Sequence, residues 1–325
     1  MRVEATGNRI RVVAAIAVQA FVSTSVLAFG DTRNAQTVGR EDVRIVSTDG
    51  VSLFVRQYGE GKTPIVLLTG GPGYSGDYLE EMAARFSADH RVLLPDQRGT
   101  GRSVINPWDA SRLTIEASVA DVEALRIQSG AEQIILVGHS WGGVLSMAYA
   151  AKHADHVHAL VLIGSGGATS DWQTDYSQNM LARLKPEDIK GVFQAQARMA
   201  KDPDGAMVDV IRATAPAMIV DREQAIRLAD EYAGPAMLTP AVTLAMQGWL
   251  RRYDLGDGLR DLQAPVMVIQ GEHDPMGKKT ARDIAGTFSQ SEVHFIPNAA
   301  HEPYMEQPKT FYAIVEPFLR KHAAE

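Results

Sequence analysis

Short apolar segments recur along the chain, and their periods predict strands that alternate with helices. Residues 43–47 and 51–58 alternate apolar and polar side chains with the period of a strand, and Thr48-Asp49-Gly50 between them is typical of a hairpin turn. The continuous apolar run 64–69 predicts a strand that is buried on both faces. Further strands are predicted at 91–95, 134–137, 157–163, 264–270 and 292–296.

Helical spacing occurs between these strands. Apolar residues recur with helical period over 115–128, and Thr114 is the expected N-cap of that helix. Other helices are predicted over 77–87, 278–288 and 309–321. Alternation of strands and helices implies a mostly parallel, doubly wound α/β sheet with helices on both faces. Active sites of such sheets lie at the carboxyl ends of the strands.

One long segment interrupts the alternation. Residues 169–250 are rich in Met, Gln, Ala and charged residues and carry no strand signal, which predicts an inserted helical cap. The core would then consist of residues 43–168 and 251–325. Because the insertion follows the strand 157–163, we expect it to cover the carboxyl edge of the sheet.

Composition narrows the possible chemistry. The chain has 325 residues, of which 45% are hydrophobic and 22% charged, enough apolar material for one large core. Its net charge of −7 and the lack of a basic block argue against a nucleic-acid partner. The absence of cysteine excludes disulfides, thiol catalysis and Cys-based metal sites. The histidines form no H-x-x-x-H pair on an evident helix, so we expect neither a catalytic metal nor another cofactor.

The N-terminus has the features of a signal peptide. Arg2, Arg9 and Arg11 precede or enter an apolar run over 12–22, and small residues near Ala28 offer a cleavage site. We expect residues 1–28 to be removed on export to the periplasm or medium, leaving 29–42 as a flexible lead-in and no stable membrane insertion. The alternative is an uncleaved membrane anchor, although the apolar run is short for a bilayer span.

Gly138-His139-Ser140-Trp141-Gly142 is the most informative motif. It follows the apolar strand 134–137 and precedes a small-residue segment, 143–150, with helical character. In this context G-x-S-x-G is a nucleophile elbow, a sharp turn that presents a serine hydroxyl at the tip of a sheet. Glycines are needed two residues either side of Ser140 because a Cβ there would collide with the neighbouring strand or helix.

Two residues downstream can complete a catalytic triad. His301 lies in the loop after the last predicted strand, and Asp274 lies just past a buried strand. The order Ser, Asp, His along the chain matches the α/β-hydrolase arrangement. Asp274 could instead form a turn or cap a helix, and His301 could be a surface loop residue. Other acidic residues are less well placed: Asp257, Asp261 and Glu272.

A developing oxyanion needs preorganised donors. We expect one to be the backbone N–H of Trp141, directly after the nucleophile. The second should come from the glycine loop Gly70-Gly71-Pro72-Gly73, and Gly71 is the candidate because Pro72 has no N–H. The loop lacks the Lys-Ser/Thr ending of a phosphate loop.

These motifs together resemble the α/β-hydrolase superfamily and, within it, the proline iminopeptidase-like serine peptidases. The resemblance rests on the glycine loop, on Asp96-Gln97-Arg98-Gly99-Thr100-Gly101-Arg102-Ser103, on the elbow, and on Asp274 with His301. It implies a covered sheet with a helical cap and release of an N-terminal residue, often proline, from short peptides. We expect the charged residues of the segment 96–103 to brace the glycine loop and the elbow through hydrogen bonds.

The chain departs from that family in two places. Thr69 stands where the family usually has histidine, and the cap ends Gly-Trp-Leu-Arg-Arg-Tyr over 248–253 without the family's W-x-x-W-E pattern. A carboxylate is the obvious means of holding a substrate ammonium. The candidates for substrate contacts are Glu187, Glu223 and Glu231, together with Gly70 and Gly73. The alternative for the three glutamates is a solvated helix surface.

Three functions fit this sequence. The first is a serine hydrolase with an acyl-enzyme intermediate that acts as an aminopeptidase on short peptides or amino-acid amides. The second keeps the triad but cleaves a carboxylic ester or lactone. The third is a ligand-binding protein that retains the fold without turnover. Each implies a small-molecule or short-peptide partner.

Overall fold

A computed structural model describes residues 39–323 of the chain. The segment predicted as a signal peptide, 1–28, and most of the predicted lead-in lie outside these residues. The first strand begins at Arg40, so the predicted lead-in 29–42 extends too far by its last three residues. Arg40, Glu41 and Asp42 pair with the second strand, and that backbone pairing outweighs their polar character.

Eight strands form a single sheet. They are β1 Arg40–Val46, β2 Ser52–Tyr58, β3 Ile65–Leu68, β4 Val92–Pro95, β5 Ile134–His139, β6 Val157–Ile163, β7 Val266–Gly271 and β8 Ser291–Ile296. Their order in the sheet is β1-β2-β4-β3-β5-β6-β7-β8. The pairs β1–β2 and β2–β4 are antiparallel, and all other neighbouring strands are parallel. The mostly parallel sheet expected from the sequence is confirmed.

Helices connect the strands. They are α1 Glu80–Phe86, α2 Ile115–Gln128, α3 Trp141–Lys152, α4 Trp172–Arg183, α5 Pro186–Arg198, α6 Pro203–Met218, α7 Arg222–Tyr232, α8 Pro240–Leu250, α9 Gly256–Leu259, α10 Lys278–Gly286, α11 Pro303–Glu306 and α12 Pro308–Ala323. Three short 3-10 turns lie at Gly76–Leu79, Ala110–Arg112 and Ala154–His156. Among residues 39–323, no helix combines the length and apolar content that a membrane span requires.

The sheet is covered on both faces. Successive residues of β5 point to opposite sides, so Ile134 and Leu136 join the core that packs on α2 and α3, whereas Ile135 and Val137 join the core that packs on α1 and α12. All four side chains are buried. A strand with both faces in apolar layers has to be apolar throughout, which explains the continuous run in the sequence.

Helices α4 to α8 occupy the segment that the sequence marks as an insertion. They lie between β6 and β7, and within the described part of this segment the backbone forms helices and isolated bridges only. One bridge joins Tyr74, next to the glycine loop, to Leu238. A second joins Thr169 to Asp254, where the segment leaves and rejoins the core. The cap is therefore attached to the core at both ends and along the glycine loop.

Candidate active site

Ser140 occupies a strained turn between β5 and α3. Its φ angle is +55°, in the left-handed region that non-glycine residues rarely adopt. A Cβ at Gly138 would overlap the carbonyl of Gly142, and a Cβ at Gly142 would overlap the carbonyl of Leu68. The N–H of Ser140 donates to the carbonyl of Ile163 at 2.8 Å. The turn thus forms because glycines leave room for the backbone on both sides.

Asp274 and His301 form a buried pair beside the elbow. Nδ1 of His301 lies 3.1 Å from each carboxylate oxygen of Asp274, and both side chains are excluded from solvent. The N–H of Met276 also donates to the carboxylate, at 2.8 Å. A Cβ on Gly164, the residue after Ile163, would lie 2.9 Å from Oδ2 of Asp274 and 3.1 Å from Nδ1 of His301. Ile163 accepts the hydrogen bond from Ser140, and the next residue, Gly164, lies against the Asp274–His301 pair. The elbow and the pair are therefore close together.

The pair fixes the protonation of the imidazole. Burial by itself lowers the pKa of His301, but the charge and hydrogen bond of Asp274 outweigh burial and raise that pKa above its usual 6.5. Nδ1 is the donor toward Asp274, so Nε2 of the neutral ring is an acceptor. Neither Nε2 nor Oγ of Ser140 has a hydrogen-bond partner within the described residues. Both atoms are available for the proton transfer that a nucleophilic serine requires.

The glycine loop and the elbow supply amides for an oxyanion. The N–H of Gly70 donates to the hydroxyl of Tyr78, so that amide is already engaged. Gly71 has a φ of +115°, which favours glycine. The carbonyl of Gly73 accepts from the N–H of Thr239 at 2.9 Å, and this glycine contacts the cap. Trp141 begins α3, where helix amides have no intrahelical acceptor. Gly71 and Trp141 remain the candidate donors.

Gln97 connects these two amide-bearing segments. Its side-chain amide donates to the carbonyl of Thr69 at 2.8 Å, and its oxygen accepts from the indole N–H of Trp141 at 2.9 Å. Segment 96–103 therefore connects the glycine loop to the elbow, but the expectation that its charged residues do so is wrong here, because the connecting side chain is the uncharged Gln97. Arg98 instead binds Asp121 through two hydrogen bonds of 2.6 Å.

His139 packs behind the Asp274–His301 pair. Its Nδ1 lies 3.0 Å from the hydroxyl of Tyr78, its Nε2 lies 3.1 Å from the carbonyl of His301, and the two imidazole centroids are 4.9 Å apart. Complete burial and the nearby His301 hold the pKa of His139 well below 6.5, so the ring is neutral. A neutral ring accepts from Tyr78 and donates to the carbonyl, which links Gly70 to the backbone of His301.

The three cap glutamates proposed as substrate contacts do not reach this site. Glu187, Glu223 and Glu231 are solvent-exposed, whereas Ser140 is completely buried. The cause is the amphipathic pattern of the cap helices: α7 buries an i, i+3, i+4, i+7 stripe that excludes Glu223 and Glu231. Glu187 lies near Arg222, 3.9 Å away, with 66% of its side chain exposed. Their assignment as substrate-binding residues is corrected accordingly.

Two buried carboxylates next to His301 were missed. Glu302 is completely buried, accepts a hydrogen bond from the hydroxyl of Tyr304, and lies 3.4 Å from Nε2 of His139. Glu306 accepts from the N–H groups of Ala300 at 2.7 Å and Val220 at 2.8 Å, and burial raises its pKa to about 7. Their closeness to His301 along the chain is the only hint in the sequence, and it does not predict burial, because a loop glutamate is ordinarily solvated.

Within residues 39–323, one cluster has metal-ligand geometry, and it lies away from Ser140. Ligand atoms of Glu123, His153 and His156 lie within 4.8 Å of one another. The Glu123 carboxylate binds Arg126 at 2.6 Å and accepts from Tyr149 at 2.7 Å. His153 follows the last turn of α3, whereas Ser140 precedes its first. The cluster is therefore separated from the candidate active site by the length of that helix.

The chain belongs to the alpha/beta hydrolase fold family, whose model matches residues 63–308. Its relatives include the proline iminopeptidase of Lactobacillus helveticus, 26% identical over 289 residues that cover 84% of this chain and 96% of that protein. The resemblance drawn from the motifs is thereby confirmed.

Two solved structures share the fold. A proline iminopeptidase from Mycobacterium smegmatis has a TM-score of 0.69 and 24% identity, covering 87% of this chain and 99% of that one. A thermophilic esterase from Thermogutta terrifontis has a TM-score of 0.66 and 24% identity, again covering 87% and 99%. The proteins that share this fold therefore include both a peptidase and an esterase.

Proposed function

We propose that this protein is a serine hydrolase that works through an acyl-enzyme and acts as an aminopeptidase on short peptides or amino-acid amides. The observation that carries the proposal is the buried Asp274–His301 pair beside the Ser140 elbow. A buried carboxylate on Nδ1 of an imidazole is the arrangement that orients a general base and stabilises its protonated form. The relationship to proline iminopeptidases favours an amide substrate.

In the proposed reaction, Nε2 of His301 takes the proton of the Ser140 hydroxyl as Oγ attacks the substrate carbonyl. The oxyanion accepts hydrogen bonds from the N–H groups of Gly71 and Trp141. The C–N bond breaks when His301 returns the proton to the leaving amine, and the acyl group stays on Ser140. Water then repeats the cycle: it loses a proton to His301, attacks the ester and releases the acid.

An ester or lactone substrate is the second candidate. The same triad and oxyanion donors would serve it, and the similar fold of the Thermogutta terrifontis esterase favours keeping it in the test. An alcohol leaves more easily than an amine, so the triad alone does not separate the two substrates. Discrimination depends on how the cap holds the substrate.

The test offers purified protein two substrates, a prolyl arylamide and a p-nitrophenyl ester. We expect turnover of the arylamide that is lost in Ser140→Ala, with the circular dichroism spectrum retained. Ester turnover without amide turnover would replace the peptidase proposal by the esterase alternative.

Covalent labelling tests the non-catalytic alternative. A fluorophosphonate should add one group to the wild-type chain and none to Ser140→Ala, as measured by intact mass. Absence of labelling in the folded wild type would favour a ligand-binding protein that has kept the fold.

We further propose that residues 1–28 direct export and are removed. The expected result is a mature chain in the periplasm or medium whose N-terminus lies near residue 29, measured by mass spectrometry after fractionation. A chain recovered in the membrane fraction with Met1 to Ala28 still attached would support the anchor instead.

A further inference from the structure

A cluster of tyrosines lies near the buried carboxylate of Glu302, which accepts a hydrogen bond from Tyr304. We call it the tyrosine cage, and it consists of Tyr74, Tyr78, Tyr232, Tyr304 and Glu302. The ring of Tyr74 meets those of Tyr78 and Tyr232 edge-on, with centroids 6.0 and 6.3 Å apart, and Tyr78 meets Tyr232 at 6.4 Å. The charge of Glu302 acts on the phenols of Tyr74, Tyr232 and Tyr304, so aromatic rings and a carboxylate share this environment.

Two hydroxyls of the cage have no protein partner. The hydroxyls of Tyr74 and Tyr232 are buried, and neither finds a hydrogen-bond partner within residues 39–323. Leaving a buried hydroxyl unpaired is unfavourable, and native structures rarely do so without a reason. Burial is the main cause that raises the pKa of both phenols well above 10. For Tyr232 the charge of Glu302 is the next cause, and for Tyr74 it follows the effect of Tyr78, so each hydroxyl keeps its proton and offers lone pairs to a donor.

The cage adjoins the reacting groups on two sides. Tyr74 directly follows the glycine loop that carries Gly71, and Glu302 directly follows His301. The cage also includes part of the cap, because Tyr232 is the last residue of α7. A group held in the cage would therefore be enclosed between the oxyanion loop, the general base and the cap.

We propose that the tyrosine cage binds the free ammonium group of the substrate, primary or secondary, and so selects substrates with an unblocked N-terminus. This inference rests on the proposed aminopeptidase function. Glu302 supplies the countercharge, the hydroxyls of Tyr74 and Tyr232 accept ammonium hydrogens, and the ring faces attract the cation. The cage provides the carboxylate that the sequence analysis sought in the cap.

Binding of a minimal cation tests the cage without requiring amide turnover. The probe is pyrrolidinium, and its uncharged control is tetrahydrofuran, which has the same ring size. We expect pyrrolidinium to slow hydrolysis of a neutral p-nitrophenyl ester and to raise the unfolding temperature, with tetrahydrofuran at least about 10-fold weaker in both assays. Equal effects of the two compounds would overturn the proposal.

Glu302→Gln tests the carboxylate. We expect pyrrolidinium affinity, and the ratio of kcat/KM for prolyl arylamide to that for the neutral ester, to fall about 10- to 100-fold. The ratio is the readout because any disturbance of His301 lowers both rates together. Glu306→Gln is the matched control, a second buried glutamate of the same loop, and it should leave the ratio and the affinity unchanged. An unchanged ratio in Glu302→Gln overturns the proposal.

If Glu302→Gln does not fold, Tyr232→Phe tests whether the tyrosine cage binds the cation. It removes a hydroxyl that has no protein partner, so a purely structural role predicts equal or greater stability and unchanged pyrrolidinium binding. If the cage binds the cation, Tyr232→Phe should have equal or greater stability without ligand, and it should bind pyrrolidinium about 10-fold more weakly. The unfolding midpoint in urea and the pyrrolidinium titration measure the two quantities.

The two proposals fail in different ways. If the wild type shows no amide turnover but binds pyrrolidinium through Glu302, the aminopeptidase function fails and the cation site stands. If amide turnover occurs but neither Glu302→Gln nor Tyr232→Phe changes selectivity or pyrrolidinium binding, the function stands and the cage is overturned.

Discussion

The carboxylate of Asp274 determines which nitrogen of His301 carries a proton. Its two oxygens, each 3.1 Å from Nδ1, accept a hydrogen bond from the N–H of that atom and leave Nε2 of the neutral ring unprotonated, as the proposed general base must be. Asp274→Asn would place an amide there and favour the wrong tautomer. We expect kcat to fall by about 10⁴-fold with little change in fold, because an equivalent change in other triads has that effect. Steady-state kinetics measure it, and a loss of less than tenfold would mean that another group orients His301.

The pH dependence of the reaction should follow His301. Although burial lowers the pKa of this imidazole, Asp274, Glu302 and Glu306 together raise it above 6.5. The neutral ring is the base, so kcat/KM should decrease as pH falls through this raised pKa, with the midpoint of the acid limb above 6.5. The profile is measured on an ester that does not titrate. Asp274→Asn should shift the midpoint downward, and a midpoint below 6.5 in the wild type would contradict the electrostatics described.

The residues that reasoning from sequence identified are those with a local signature. Ser140 was located from its flanking glycines, and Asp274 and His301 from their positions after strands. Glu302 and Glu306 had no such signature, because a glutamate in a loop is ordinarily solvated. Their burial depends on Val220 and the tyrosines, which lie far away in sequence and come near only through the tertiary fold.

At the scale of elements, the loop between β8 and α11 is held by Glu306. Because its pKa is raised from 4.5 to about 7 in the folded protein, its contribution to stability is present below 4.5 and is lost as pH rises through about 7. Relative to Glu306→Gln, the wild type should lose about 3 kcal/mol of unfolding free energy between pH 4.5 and about pH 8. Urea unfolding of both proteins at the two pH values measures this difference. A pH-independent difference would mean that Glu306 titrates normally.

The contact between the glycine loop and the elbow depends on one side chain. Gln97→Leu removes its bonds to Thr69 and Trp141. We expect kcat to fall by about 10- to 100-fold, since small displacements of catalytic groups have effects of that size. Gln133→Leu, which removes a bond to the carbonyl of Asp155 on the surface, is the control and should keep kcat. If the two variants retain equal kcat, the bond network does not align the oxyanion donors.

Most elements follow from local sequence. The helix Ile115–Gln128 begins after Thr114, whose hydroxyl accepts from the N–H of Ala117, as the predicted N-cap should. The strand Val157–Ile163 has the bounds that its apolar run predicts. The start of β1 was misplaced because Arg40–Asp42 pair as an edge strand, where polar side chains face solvent and no apolar signal is required.

At the scale of the whole molecule, the cap contacts the segments next to Ser140, since the rings of Trp249 and Trp141 meet with centroids 5.9 Å apart. Ser140 is completely buried, and the hydroxyl of Thr243 donates to the carbonyl of Pro72 in the glycine loop. The chain has no cysteine, so Ser140→Cys would carry a single thiol. We expect this thiol to react with dithionitrobenzoate at least about 100-fold more slowly than in the unfolded chain, because reaction requires the cap to open.

Thr243→Val in the Ser140→Cys background tests which contact limits opening. Loss of the bond to Pro72 should accelerate the thiol reaction by about 10-fold. A thiol that reacts as fast in the folded protein as in urea would show that the cap does not cover Ser140 in solution. An unchanged rate in the double variant would place the limiting contact elsewhere.

The hydrogen bond from the N–H of His301 to the carbonyl of Met218, 2.9 Å long, joins the loop of the general base to the end of a cap helix. In the proposed reaction, a shift of the cap around a substrate would therefore reach His301, the proposed base, through this backbone contact. A polypeptide too long to be enclosed would prevent the hydrogen bond between His301 and Met218 from forming. The loop that carries the imidazole would then lose one of its contacts. If the chain is the aminopeptidase proposed above, folded proteins would then escape cleavage without any dedicated inhibitor.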